Sequence, residues 1–101
     1  MSMITAIVLI NTAQGRTPEV AQALLELPGV TEAYSVAGPY DLVVMVRVEE
    51  HEDLAEVVAG QIQNVAGIKA TNTLIAFQAY SKRMLEAGFD LGNEELPRKQ
   101  P

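Results

Sequence analysis

Val36-Ala37-Gly38-Pro39-Tyr40-Asp41 is a turn-rich break between two strand-like runs, residues 30–36 and 41–48. Pro39 presets the first central position of a turn, and Tyr40 at the second favours type I over the glycine-requiring type II. The run before it alternates Val30, Glu32, Tyr34 and Val36 against Thr31, Ala33 and Ser35. The run after it, Asp-Leu-Val-Val-Met-Val-Arg-Val, is rich in β-branched residues. Two strands joined by so short a reversal are antiparallel neighbours.

Working outward, each of these strands is flanked by a helix and then another strand. Residues 3–10 (Met-Ile-Thr-Ala-Ile-Val-Leu-Ile) read as a strand buried on both faces, and residues 11–16 as a polar loop. Thr17-Pro18-Glu19 opens a helix, with Thr17 suited to cap it, Pro18 to its first position and Glu19 to its dipole. Val20, Ala21, Leu24 and Leu25 supply its apolar stripe, and Pro28-Gly29 ends it. Downstream, the acidic stretch Glu49-Glu50-His51-Glu52-Asp53 leads into a second helix. Its stripe is Leu54, Val58, Ile62 and Val65, widened by Ala55 and Val57. Gly67 closes that helix, and residues 68–79 form the fourth strand.

The resulting order, β-α-β-β-α-β, is the split βαβ arrangement. Right-handed crossovers place both helices on one face of a four-stranded antiparallel sheet. The fold class is therefore α+β, a ferredoxin-like sandwich, over residues 1–80. Residues 81–101 read as a C-terminal extension: a short helix over 81–87, an interruption at Gly88, then a loose polar tail.

Composition narrows the function classes. At 101 residues the chain has room for one core. It has no cysteine, which removes disulfides, thiolate metal sites and cysteine nucleophiles. Thirteen acids against seven bases give a net charge of −6, and the bases are scattered rather than clustered. Direct binding to nucleic acid, which needs clustered Lys and Arg against phosphates, is not expected. No long apolar segment or signal peptide is visible, and no basic, aromatic-studded helix face suggests a membrane surface. A cytoplasmic location is the expectation.

One sheet face should be polar in a monomer, because helices cover only the other. Both alternating sets of the first strand are nevertheless largely apolar: Ile4, Ala6, Val8, Ile10 and Met3, Thr5, Ile7, Leu9. The third strand repeats this with Leu42, Val44, Val46, Val48 and Val43, Met45. Such a face needs a cover, and a second copy of the same sheet is the simplest one. A homodimer is expected.

Three groups of residues carry candidate chemistry. In the Gly38–Asp41 loop, Gly, Pro and Asp are all favoured turn residues and need do no more than reverse the chain. The same loop suits an amino acid: Asp41 accepting from an ammonium, backbone N–H groups meeting a carboxylate, and Tyr40 forming a wall. Thr71 and Thr73 sit two apart, so both hydroxyls share one sheet face; strand propensity or a polar head group explains them equally. The acids around His51 are accounted for by the helix dipole, without a metal or a catalytic base. No phosphate loop, zinc pattern or nucleophile elbow is present, and no catalytic, metal or cofactor residue is assigned.

Taken together, Pro28-Gly29-Val30, Val36-x-Gly38-x-Tyr40-Asp41-Leu42, Gly67-Ile68 and Thr71-x-Thr73 resemble the effector-binding (RAM) domain of the Lrp/AsnC family. The likeness runs from about Ile4 to Ala79. It implies a dimer formed through the sheets, further assembly typically into octameric rings, and amino acids bound between dimers. By position it implies Gly38, Tyr40, Asp41, Thr71 and Thr73 as ligand-binding residues. Pro39 stands where the family loop, commonly Gly-Asp-Tyr-Asp, has its first acid. The family's helix-turn-helix domain has no counterpart in this sequence, so a stand-alone form is expected.

The expectation is thus a non-enzymatic, amino-acid-binding module that self-assembles and modulates transcription indirectly, through full-length Lrp/AsnC-type regulators. Three other readings stay open: a cofactor-independent enzyme of the dimeric α+β barrel type, an ACT-like amino-acid module using the loop after the first strand where Gly15 sits, and an oligomerisation domain with no ligand.

Overall fold

The structure, a computed structural model, describes residues 3–82. The elements are β1 (Ile4–Thr12), α1 (Thr17–Leu25), β2 (Val30–Ser35), β3 (Leu42–Val48), α2 (His51–Ala55) and β4 (Ile68–Ala76). Between α2 and β4 the chain stays helical, first as a π-helical turn (Glu56–Gln61) and then as a 3-10 turn (Ile62–Asn64). The strands form one antiparallel sheet in the order β2-β3-β1-β4, the expected split βαβ sandwich. The extension expected over 81–101 lies outside the described residues, apart from Ser81 and Lys82.

Alternation along the two central strands builds the core. Ala6, Val8 and Ile10 of β1 and Leu42, Val44, Val46 and Val48 of β3 point into the helical layer and are buried. Val20 and Leu24 of α1, Leu54 of α2, and Val57 and Ile62 beyond it meet them from the other side. Each buried Val, Leu or Ile among them contributes about 1.5–3 kcal/mol by leaving water, enough collectively to hold the helices on the sheet.

Several local expectations change. Leu25 is rotated about 100° from Leu24 around the helix, so it leaves the stripe and stays 49 % exposed. Thr17 does not cap α1. It is the first helical residue, Arg16 holds the cap position without a side-chain bond, and the Thr17 hydroxyl is engaged by Thr12. In the second helical segment Leu54, Val57 and Ile62 are buried, Val58 and Val65 pack against them only partly buried, and Ala55, expected to widen the stripe, is exposed. The π turn accounts for this, because its wider repeat puts positions five apart, such as 57 and 62, on one side. Finally, β4 stops at Ala76 rather than residue 79. Ala76 lies opposite Thr5, where the pairing with β1 runs out.

Directly opposed residues share a face, so the register defines the sheet side that the helices leave uncovered. Met45, Ile7 and Leu74 form one row across it, and Val43, Leu9 and Asn72 the next. Tyr34 of β2, opposite Val43, extends that second row. Ile7, Leu9, Val43 and Met45 are half-buried, while Leu74 and Tyr34 are about half exposed. The open face is apolar, as the alternation in β1 and β3 requires.

Candidate functional site

The loop between β2 and β3 is wider than a four-residue turn. It closes where the Val36 N–H donates to the Asp41 carbonyl at 3.1 Å. Gly38 has φ +135°, a conformation that side chains rarely adopt, and Pro39 has no N–H to contribute. The N–H groups of Ala37, Gly38 and Tyr40 consequently find no protein acceptor among the described residues. These donors sit within a few residues of a carboxylate.

That carboxylate belongs to Asp41, which is half-buried. Its own N–H donates to the Ile10 carbonyl at 2.9 Å. Past Leu42 the β1–β3 ladder ends, and Asp41 Oδ2 takes the place of a strand carbonyl by accepting from the Thr12 N–H at 2.8 Å. The Thr12 hydroxyl reaches the same oxygen at 3.3 Å. Asp41 Oδ1 has no partner among the described residues.

Tyr40 turns a different way. Its hydroxyl accepts from Asn72 Nδ2 at 3.3 Å, and Asn72 lies on the open face opposite Leu9. Thr71 and Thr73 do share one face, but it is the helix side: they lie opposite Ile10 and Val8. Thr71 Oγ1 accepts from Gln63 Nε2 at 3.0 Å. The structure thus brings Gly38, Tyr40 and Asp41 together on one loop. Within the chain, no hydrogen bond among the described residues joins that loop to Thr71 or Thr73.

Two residues that the sequence did not single out complete the surroundings. Asn72 sits between the two threonines and meets Tyr40, and Thr12 meets Asp41. Asn72 was hidden because strand alternation sends it to the opposite face from its neighbours. Thr12 was hidden because its partner lies 29 residues away.

Two concavities lie elsewhere. One, of about 390 Å3, is lined by Pro28, Gly29, Val48, Glu49, Asp53 and Gln61 at the opposite end of the sheet from the loop. The other, of about 400 Å3, opens on the uncovered face beside Ile7, Met45, Arg47 and Tyr80. Neither includes any of the five expected ligand residues. His51 begins α2, with Glu52 and Asp53 in its first turn, and no group of side chains suited to hold a metal occurs among the described residues. No helix among the described residues is long and apolar enough to cross a membrane.

Comparison with known proteins places the fold. Among curated proteins, the HTH-type transcriptional regulator FL11 of Pyrococcus furiosus is 30% identical over 79 residues, 78% of this chain and 52% of that protein. The chain spans about half or less of the length of the curated regulators it matches. A protein of known crystal structure from Thermus thermophilus is 47% identical with a TM-score of 0.73, covering 78% of this chain and 99% of that one. A feast or famine regulatory protein from M. tuberculosis, solved with L-methionine, is 28% identical with a TM-score of 0.64, covering 79% and 54%. The model of the Lrp/AsnC ligand binding domain matches residues 5–85, and the chain belongs to that family of transcriptional-regulator domains.

Proposed function

We propose that this chain is an amino-acid-binding regulatory module, and that the Gly38–Asp41 loop is its ligand-gripping element. The observation that carries this is the loop's unspent hydrogen-bonding capacity. Three unpaired N–H donors suit a carboxylate, and the free Asp41 Oδ1 suits an ammonium. A zwitterion offers both groups on one carbon. The L-methionine complex of the M. tuberculosis relative supports an amino acid as the ligand class.

Gly38, Tyr40, Asp41, Thr71 and Thr73 are the proposed contacts. Because the threonines face the helix side while Tyr40 meets Asn72 on the open side, a ligand touching both sets draws them from different copies of the chain. Assembly is therefore part of the function. The open apolar face supports a homodimer as the first step, and an octameric ring of dimers fits the split site. Acting on transcription then runs through full-length Lrp/AsnC-type regulators in the cytoplasm, with no nucleic-acid contact of its own and no catalysis.

The test is a thermal-shift screen of the protein against each standard L-amino acid. A ligand at ten times its dissociation constant adds about 1.4 kcal/mol of stability, a shift of several degrees for a domain of this size. The expected outcome is a selective shift that Asp41→Ala abolishes. A flat response to all twenty leaves an oligomerisation domain with no ligand.

A further inference from the structure

Three elements meet at Thr12. Its N–H lies 2.8 Å from Asp41 Oδ2, and its Oγ1 lies 3.3 Å from that oxygen and 2.7 Å from Thr17 Oγ1. The direction of each bond follows from proton count. A carboxylate accepts and does not donate, so the Thr12 hydroxyl donates to Asp41. Having spent its one proton there, Thr12 must accept from Thr17. The chain of donation therefore runs one way, from the first residue of α1, through the end of β1, to the loop carboxylate. Among the described residues Thr12 is the polar one that is buried, at 7 % exposure, so its polar groups have strong reason to stay paired.

We infer that Thr12 is the positioning residue of the ligand loop, holding Asp41 Oδ2 inward so that only Oδ1 meets an ammonium group, and coupling that carboxylate through Thr17 to the first turn of α1. The inference rests on reading the loop as the ligand site and deepens it in two ways. A primary ammonium fits a single open oxygen, whereas a guanidinium seeks both oxygens of a carboxylate side by side. Occupancy of the loop is also transmitted to α1, because any pull on Asp41 is a pull on Thr12 and Thr17.

Two variants test it. Thr12→Val keeps the shape and the N–H but removes the hydroxyl; Thr12→Ser keeps the hydroxyl. The first readout needs no ligand: amide hydrogen exchange followed by NMR at Val36, which closes the loop onto Asp41, and at Val20, the first bonded amide of α1. Thr12→Val is expected to speed exchange at both about tenfold while leaving amides in the middle of β1 and β3 unchanged, and Thr12→Ser to restore both. Unchanged exchange at Val36 and Val20, or an equal rise throughout the sheet, overturns the coupling. The second readout titrates each of the twenty L-amino acids. Against any that binds the unaltered chain, Thr12→Val is expected to lose about tenfold in affinity and Thr12→Ser less than twofold. Unaltered affinity in Thr12→Val overturns the positioning role. If the unaltered chain binds none, the ligand reading of the loop fails, and the exchange experiment still decides whether Thr12 couples loop to helix.

Discussion

Gly38 and Gly67 both have positive φ, but they do different work. At Gly38 an added Cβ meets open space, so a side chain there suffers only backbone strain, about 1 kcal/mol. At Gly67 it lands 2.8 Å from Val20 Cγ2, in the packed junction between α1 and the start of β4. Strain and overpacking then add, for about 3 kcal/mol in all. Urea unfolding is expected to show Gly67→Ala losing about three times as much stability as Gly38→Ala. The distinction was not legible in the sequence, where each glycine marks the end of an apolar run. Position along the chain says that a turn is needed, and only the tertiary neighbour says how much room the turn has. The same limit applies to Asp41. That the chain reverses was readable from Gly-Pro-Tyr-Asp, but the expected type I turn centred on Pro39 and Tyr40 gives way to a wider loop, and the commitment of one oxygen to Thr12 was hidden because that partner comes from another strand.

Among the elements, the four strands and α1 were readable in place, the strands from their β-branched apolar runs and α1 from its helical stripe. The second helical segment was readable in place but not in phase. The expected stripe runs along Leu54, Val58 and Ile62 with Val57 at its margin, as 3.6 residues per turn requires, whereas the π turn over Glu56–Gln61 brings Val57 to the centre and leaves Val58 only partly buried. Stability measurements can separate the two phases. Val57 is 4 % exposed, and Val57→Ala removes two packed methyl-sized groups, for a loss of about 2 kcal/mol. Val58 is only half-buried, and Val58→Ala is expected to cost about 0.5–1 kcal/mol. Chemical denaturation of both variants checks the order; a larger loss at Val58 means the regular α-helical phase. The end of β4 was hidden for a related reason. Residues 77–79 are compatible with a strand by themselves, but β1 supplies no partner past Thr5, and Phe77 is left almost wholly exposed.

At the scale of the whole molecule, the proposed dimer rests on the open face. Its central row, Met45–Ile7–Leu74, is apolar from β3 through β1 to β4. Covering it requires a surface of like shape and polarity, which a second copy turned by a two-fold axis supplies. A charge placed in the middle of that row must be buried unpaired if the copies associate, while in an isolated chain it stays in water. Ile7→Glu is therefore expected to leave secondary structure intact by circular dichroism and to reduce the sedimenting species to a single chain. An unaltered protein that already sediments as one chain at micromolar concentration removes the dimer. The same variant bears on the ligand. All five proposed contact residues remain in Ile7→Glu, yet the loop and the threonine pair face different sides of the sheet and need different copies to converge. If assembly completes the site, Ile7→Glu loses the amino-acid-induced thermal shift together with its oligomeric state. A monomeric variant that keeps the full shift means that the Gly38–Asp41 loop binds its ligand alone, and that Thr71 and Thr73 serve only the fourth strand.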